Sequence, residues 1–412
     1  MICAKKIKHL PIKIIDGDRS SRYPKRSEFQ KKGILFLNTT NIVQNRLDLT
    51  EANFVSPEKF DEIKKGRLQR FDIVMTARGS IGKVALFDYN PPKGLINAQM
   101  LILRSDGELI DQKFLFYYIC SDNFQTKLKN FASGSAQPQI PIIDLKEIEI
   151  VVPDFPTQRK IAAVLSAYDD LIENNTRRIE ILDEMASAMY REWFVEFRFP
   201  GHEGVEMVES ELGLIPRGWE VGTLGDLAES VRRSIKPSDI NQETPYLGLE
   251  HLPRKSIALS NWDSVDSINS AKLAFKKGEI LFGKIRPYFH KVGVAPLDGI
   301  CSSDTIVIRP KRNECFAMTL SYVSSEHFIE YATTTSQGTK MPRADWKVLV
   351  KYPVVIPPDH ITQCFSSFVR DIVNKIQNLI FQNRNLRQTR DLLLPKLISD
   401  EIDVSELDVD IG

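Results

Sequence analysis

Residues 157–193 read TQRKIAAVLSAYDDLIENNTRRIEILDEMASAMYREW, and this stretch decides the fold. Within it Ile161, Leu165, Tyr168, Ile172, Asn175, Ile179, Leu182, Ala186, Met189 and Trp193 recur at alternating spacings of four and three, the a and d positions of one unbroken heptad. A helix holding this pattern over about 37 residues is near 55 Å long at about 1.5 Å per residue, and so long a single apolar stripe needs a partner.

The partner is found in the same chain. At an offset of about 204 residues (Ser121 to Ser325), the equivalent positions are Phe365, Val369, Ile372, Ile376, Leu379, Asn383, Leu386, Arg390, Leu393 and Leu397. The correspondence reaches upstream of the heptads. Ser121-Asp122-Asn123-Phe124 matches Ser325-Glu326-His327-Phe328, Gly134 matches Gly338, Pro138 matches Pro342 and Pro153 matches Pro357. Residues 121–199 and 325–403 therefore read as two copies of one module. An antiparallel pair with its axis near position 177 sets Asn175 against Asn383 at mid-coil, where buried amides fix register, and sets Arg390 over Tyr168 as a cation–π pair. Antiparallel helices of this kind carry their flanking domains to opposite ends, about 55 Å apart.

Upstream of each heptad the period shortens to about two. Residues 1–153 and 221–357 carry short β-rich runs such as Ile34-Leu35-Phe36-Leu37, Asp72-Ile73-Val74-Met75 and Val84-Ala85-Leu86-Phe87, echoed by Glu279-Ile280-Leu281-Phe282, Val292-Gly293-Val294-Ala295 and Thr305-Ile306-Val307-Ile308. One amphipathic helix follows in each block, near residues 112–131 and 315–333. The expected architecture is α+β: two mixed α/β domains joined by two long helices in an antiparallel coiled coil. The expected boundaries are a first domain at 1–153, a helix at 154–199, a linker at 200–220, a second domain at 221–357, a second helix at 358–399 and an acidic tail at 400–412.

The formal charge of +1 hides a partition. Residues 1–153 hold 24 basic against 17 acidic side chains and residues 221–357 hold 18 against 14, while the helical and linker segments are acidic. Basic blocks that recur with the repeat point to two surfaces meeting polyphosphate. The loop Arg78-Gly79-Ser80-Ile81-Gly82-Lys83 offers two cations and a hydroxyl among glycines, and Lys284-Ile285-Arg286-Pro287-Tyr288 offers a similar mixture. A second pair of loops supplies Ser135, Gln137 and Gln139 in one copy and Gln337, Thr339, Lys340 and Arg343 in the other. Gln suits the adenine edge, and Arg or Lys the guanine edge.

Other chemistries find little support. Cys3, Cys120, Cys301, Cys315 and Cys364 have no metal-binding spacing, and the six histidines form no cluster, so no metal site is expected and the cysteines fit a reducing cytoplasm. Met1–Ile15 is broken by Lys5, Lys6, Lys8 and Lys13, and no apolar run approaches about 18 residues, so neither a signal peptide nor a membrane association is expected. Asn90-Pro91-Pro92-Lys93 echoes an adenine-methyltransferase motif without its aromatic residue and reads as a surface turn. Gly79-Ser80-Ile81-Gly82-Lys83 lacks the spacing of a nucleotide-binding loop.

Three local stretches carry a family resemblance: Val151-Val152-Pro153 leading into Thr157-Gln158-Arg159-Lys160-Ile161, Gly213-Leu214-Ile215-Pro216-Arg217-Gly218-Trp219, and Arg390-Asp391-Leu392-Leu393-Leu394-Pro395-Lys396-Leu397-Ile398. With these the whole chain resembles the specificity subunit of a type I restriction–modification system. The resemblance implies a non-catalytic protein whose two recognition domains each read half of a bipartite site in double-stranded DNA, with the helices setting the gap. It also implies two methyltransferase subunits and motor-nuclease subunits as partners, with S-adenosylmethionine bound on the methyltransferase and no cofactor on this chain. Met1–Lys13 departs from the family layout in lacking the Ile-Pro-x-Gly-Trp type of lead-in. Trp193, Phe194, Phe197 and Leu394, with Met185, Leu392 and Ile398, exceed what a two-helix seam buries and are the expected docking face. Two other function classes remain open on sequence alone: a stand-alone DNA adenine methyltransferase and a coiled-coil adaptor that binds only proteins.

Overall fold

The computed structural model describes residues 3–132, 138–264, 271–399 and 401–407. The chain divides into two compact units, Met1–Leu171 with Leu386–Gly412, and Ile172–Asn385.

In the first unit the apolar runs pair as a four-stranded antiparallel sheet in the order Ile12–Asp16, Met100–Ser105, Asp72–Thr76, Val84–Phe87. Asp72–Thr76 is buried at every position, as a central strand covered on both faces must be. A smaller sheet of Asn53–Val55, Ile34–Leu37 and Gly94–Ile96 packs beside it, with the last two strands parallel. Cys3–Lys6 pairs antiparallel with Glu149–Val152 and closes the unit.

The second unit repeats this plan. Its four-stranded sheet runs Ala228–Ser230, Thr305–Pro310, Ile280–Gly283, Val292–Val294. Its second sheet contains the parallel pair Pro245–Leu247 and Gly299–Cys301, and Glu220–Thr223 closes on Pro353–Ile356 as Cys3–Lys6 does on Glu149–Val152. The duplication thus covers the sheets of both units, far beyond the residues whose identity survives.

Each helix expected ahead of the glycine loops is two helices. Gln112–Cys120 stops where Ser121 turns extended and caps Asp122–Asn130, its Oγ accepting from Phe124 N at 3.4 Å. Phe316–Val323 and Glu326–Thr334 are divided in the same way at Ser325, whose Oγ accepts from Phe328 N at 3.2 Å. The repeated Ser-x-x-Phe is therefore an N-cap followed by a buried aromatic, which explains its survival.

The heptad stretches form the helices Phe155–Tyr190, prolonged by a π-helical turn at Arg191–Val195, and Asp359–Ile398. In the first unit Ile161 and Leu165 share a core with Leu394 and Leu397, and Asp169 pairs with Arg390, so the helix segments run antiparallel. In the second unit Asn383 reaches Ile172 while the rings of Trp193 and Phe194 lie 5.5 and 4.7 Å from Phe365, which is again antiparallel. Asn175 and Asn383 are both buried. The Asn383 amide donates to the Ile172 carbonyl at 3.2 Å and the Thr176 hydroxyl at 3.3 Å, two groups that bracket Asn175 on its helix. Its carbonyl oxygen has no partner among the described residues, so the two amides do not bond each other.

Two expectations about the helices are corrected. Arg390 forms an ion pair with Asp169 instead of stacking on Tyr168; Asp169 also accepts from the Tyr117 hydroxyl at 2.7 Å and, through its carbonyl, from Arg46 at 2.8 Å. Arg390 is mostly buried, and a carboxylate offsets its desolvation better than a phenol face. Trp193, Phe194, Leu394 and Ile398 are buried in the cores of their own units, and Phe197 packs edge-on against Trp219 at 5.6 Å, so these rings and chains are not a free docking face. Trp193 packs on Phe365 and Phe368 of the second helix, whereas Phe194 and Phe197 meet Trp219, which follows the hairpin Met207–Ser210 with Gly213–Pro216 in the expected linker, and Leu394 and Ile398 share a core with Val404 of the expected tail, only 2% exposed. Among the described residues no helix is long and apolar enough to cross a membrane.

Candidate nucleic-acid interface

The loop at residues 78–83 is the hairpin between Asp72–Thr76 and Val84–Phe87, and Thr76 closes it. Thr76 N donates to the Lys83 carbonyl at 2.9 Å, Lys83 N donates to Thr76 Oγ1 at 3.0 Å, and the Thr76 hydroxyl donates to the Ser80 carbonyl. Gly82 sits at φ +84°, and a Cβ there would lie 2.4 Å from Gln125 Oε1. Only glycine fits, and Gln125 Nε2 uses the approach to donate to the Gly82 carbonyl at 3.0 Å, tying the hairpin to the helix behind it.

The hairpin is clamped to the second predicted loop by two backbone hydrogen bonds, Gly79 N to Pro138 O at 2.9 Å and Ile140 N to Ala77 O at 3.0 Å. Arg78 and Gln139 become neighbours as a result. Ser80, Lys83 and Gln139 are exposed and Arg78 is half-buried; Arg78 and Lys83 have no ion pair among the described residues. Ser135 and Gln137 lie outside the described residues.

The second unit builds the same clamp from different residues. Arg286 N donates to Pro342 O at 2.8 Å and Ala344 N to Lys284 O at 2.9 Å, and Pro342 is the repeat partner of Pro138. Arg343 and Gln337 exchange backbone hydrogen bonds at 2.9 and 3.0 Å, so all the candidates of this copy are on or beside one clamp. Gln337, Thr339, Lys340, Arg343 and Tyr288 are exposed; Lys284 and Arg286 are half-buried. Here Arg286 and His290 take the left-handed conformation that glycines take in the first hairpin. His290, buried, forms a 2.8 Å hydrogen bond with the Ser324 carbonyl and anchors the hairpin to its helix as Gln125 does in the first unit. Desolvation holds its pKa below the usual histidine value. Arg254 lies 4.4 Å over Phe289, whose ring is 4.8 Å from the expected Tyr288, so Arg254 and Phe289 extend that candidate into an aromatic and cationic ledge.

One further turn belongs to each clamp. Ala77 N donates to Gln99 O at 2.8 Å, and Lys284 N donates to Asp304 O at 3.0 Å. Gln99 is held by its N–H to Asn97 Oδ1 at 3.0 Å, and Asp304 by its N–H to Ser302 Oγ at 3.2 Å. The signal was present as Asn or Ser two residues before a polar tip and a β-rich run, at nearly the repeat offset, a pattern that side-chain-capped turns favour. Reading cations and glycines first passes over it.

Asn90-Pro91-Pro92-Lys93 is an exposed turn, with Lys93 N donating to Pro91 O at 2.7 Å. Among the described residues no group of three or more His, Cys, Asp or Glu is arranged to hold a metal ion.

Comparison with known proteins gives the family. Residues 13–183 and 216–382 each match the family described as type I restriction modification DNA specificity domain. The specificity subunit of the type I restriction enzyme MjaIX of Methanocaldococcus jannaschii is 30% identical over 353 residues, 81% of this chain and 78% of that protein. That of EcoDI of Escherichia coli is 24% identical over 365 residues, 82% and 80% of the two chains. Among solved structures, the type I restriction–modification S subunit of Mycoplasma genitalium superposes with a TM-score of 0.58 at 18% identity, covering 96% of both chains. Two matches to the family in one chain, falling on two units that repeat one clamp, place this protein in the type I restriction–modification DNA specificity family.

Proposed function

We propose that each recognition domain reads one half of a bipartite sequence in double-stranded DNA, and that the two long helices set the gap between the halves. Type I specificity subunits are DNA-recognition subunits without catalysis of their own, and the DNA recognition of the family is the frame of this reading. The observation that carries the finer statement is the clamp: one backbone scaffold, built twice, presents Arg78, Ser80, Lys83 and Gln139 in one copy and Lys284, Arg286, Tyr288, Gln337, Thr339, Lys340 and Arg343 in the other. An invariant frame with divergent side chains is what reading two different half-sites requires, since base edges are told apart by side-chain donors and acceptors. Ser135 and Gln137 belong to the same proposal from sequence alone.

In the assembled enzyme we infer two methyltransferase subunits, which bind S-adenosylmethionine, and motor-nuclease subunits for cleavage. With Trp193, Phe194 and Leu394 buried, the docking surface passes to exposed apolar residues on the helices, Met185 at 49% and Leu392 at 69% exposure. Asn175 and Asn383, buried in the seam, keep the helices in register.

The binding reading is tested by the salt dependence of full-length chain on random duplex. Arg78→Ala and Arg286→Ala should each lower the slope of log K against log salt by about one, as loss of one phosphate contact does. Binding that ignores salt in the wild type would contradict it.

A further inference from the structure

We propose that Gln99 and Asp304, at the turn beneath each clamp, are specificity-determining residues, and that Asp304 acts by positioning Lys284 and Arg343. This rests on the half-site reading above and deepens it.

The two turns are one structure with different tips. Asn97 O accepts from Met100 N at 3.2 Å and Ser302 O from Thr305 N at 3.0 Å; Asn97 Oδ1 and Ser302 Oγ accept from the residue two further on; and the tip carbonyl accepts from the strand end that begins the hairpin. The backbone therefore delivers residues 99 and 304 to equivalent places. Only the side chain differs, an amide in one copy and a carboxylate in the other.

In the second unit that carboxylate organises the surface. Asp304 Oδ1 lies 3.7 Å from Lys284 Nζ and 3.7 Å from Arg343 Nε, and Lys284 Nζ also donates to the Ser303 carbonyl at 2.6 Å. The acid sits between two cations on a surface that would meet a polyanion, where an unpaired carboxylate would oppose binding. With Arg343 Nε drawn toward Asp304, the remaining guanidinium N–H groups of Arg343 are biased in one direction, and a guanidinium so biased is suited to one base edge instead of any nearby phosphate. The first unit has no such arrangement: its tip is Gln99, exposed, and Arg78 is without an ion pair among the described residues. Gln99 instead offers the paired donor and acceptor that complement an adenine edge.

The test uses the full-length chain with a randomised duplex library, sequencing what is retained, together with the salt slope on random duplex. Asp304→Asn keeps the size and the turn but loses the charge. It should relax base preference in one half-site by about tenfold or more at the affected position. The salt slope should become steeper by up to about two as Lys284 and Arg343 turn to phosphates. The other half-site, unchanged, serves as the control for folding. Gln99→Ala should do the reverse, altering only the half-site that Asp304→Asn leaves intact. If the wild type selects two half-sites and both variants select the same ones with the same slope, the proposal is overturned while the half-site reading stands. If the wild type selects no bipartite site, the reading itself falls and the proposal with it.

Discussion

His290 shows how a single residue in this protein carries both a loop conformation and a pH dependence. Its left-handed backbone ends the second hairpin, its ring contacts the Ser324 carbonyl at 2.8 Å, and its Nδ1 is buried without a hydrogen-bond partner. Burial disfavours the imidazolium and lowers the pKa, against smaller opposing effects of the Ser324 carbonyl and the Glu326 carboxylate. The unfolded chain then takes up a proton near the ordinary value of about 6.5 while the folded chain resists it, so the stabilising contribution is full above that value and is lost as pH falls through the depressed folded pKa. His290→Asn, which tolerates the left-handed backbone, should lose this dependence: the drop in melting temperature between pH 7 and pH 5 should be smaller than in wild type. Equal drops would show that His290 titrates normally in the fold.

At the scale of elements, the helices are where sequence and structure agree most closely in kind and differ in detail. The heptad identifies both long helices because alternating steps of four and three leave only one buried stripe, while their antiparallel direction is read from the polar exceptions and is seen in the Asp169–Arg390 and Phe194–Phe365 contacts. What the heptad cannot convey is what covers the far side. Phe194 looks surplus on a two-helix seam, yet Trp219 and Tyr322 of the helix Phe316–Val323 lie 5.6 and 6.5 Å from its ring, long-range contacts invisible to periodicity, while Trp193 packs on Phe365 and Phe368 of the second helix itself. Met185 and Leu392 stay exposed, and they define the docking prediction. Met185→Asp with Leu392→Asp should leave the melting temperature within about 1 °C, since surface changes are usually within about 0.5 kcal/mol, but should sharply reduce co-purification with the methyltransferase subunit. Undiminished co-purification would move the docking surface elsewhere.

For the molecule as a whole, the duplication was legible from a handful of matched residues because those residues do irreplaceable backbone work. Ser121 and Ser325 cap helices, and Pro138 and Pro342 supply the clamp's carbonyls. The candidate DNA surface was legible where glycine and cation coincide, as at Arg78–Lys83. At Gln99 and Asp304 the sequence shows a side-chain-capped turn but not its place, which comes from a strand order that brings Met100–Ser105 and Thr305–Pro310 beside the hairpins. The central claim is that one scaffold, used twice, reads two separate half-sites. Its most direct test is sequence selection by the full-length chain from a randomised duplex library, comparing wild type with Arg78→Ala/Lys83→Ala and with Arg286→Ala/Arg343→Ala. The expected wild-type site is two short motifs at a fixed gap, with the first variant altering one motif only and the second altering the other only. A single uninterrupted motif, or both motifs changing together in either variant, would contradict it.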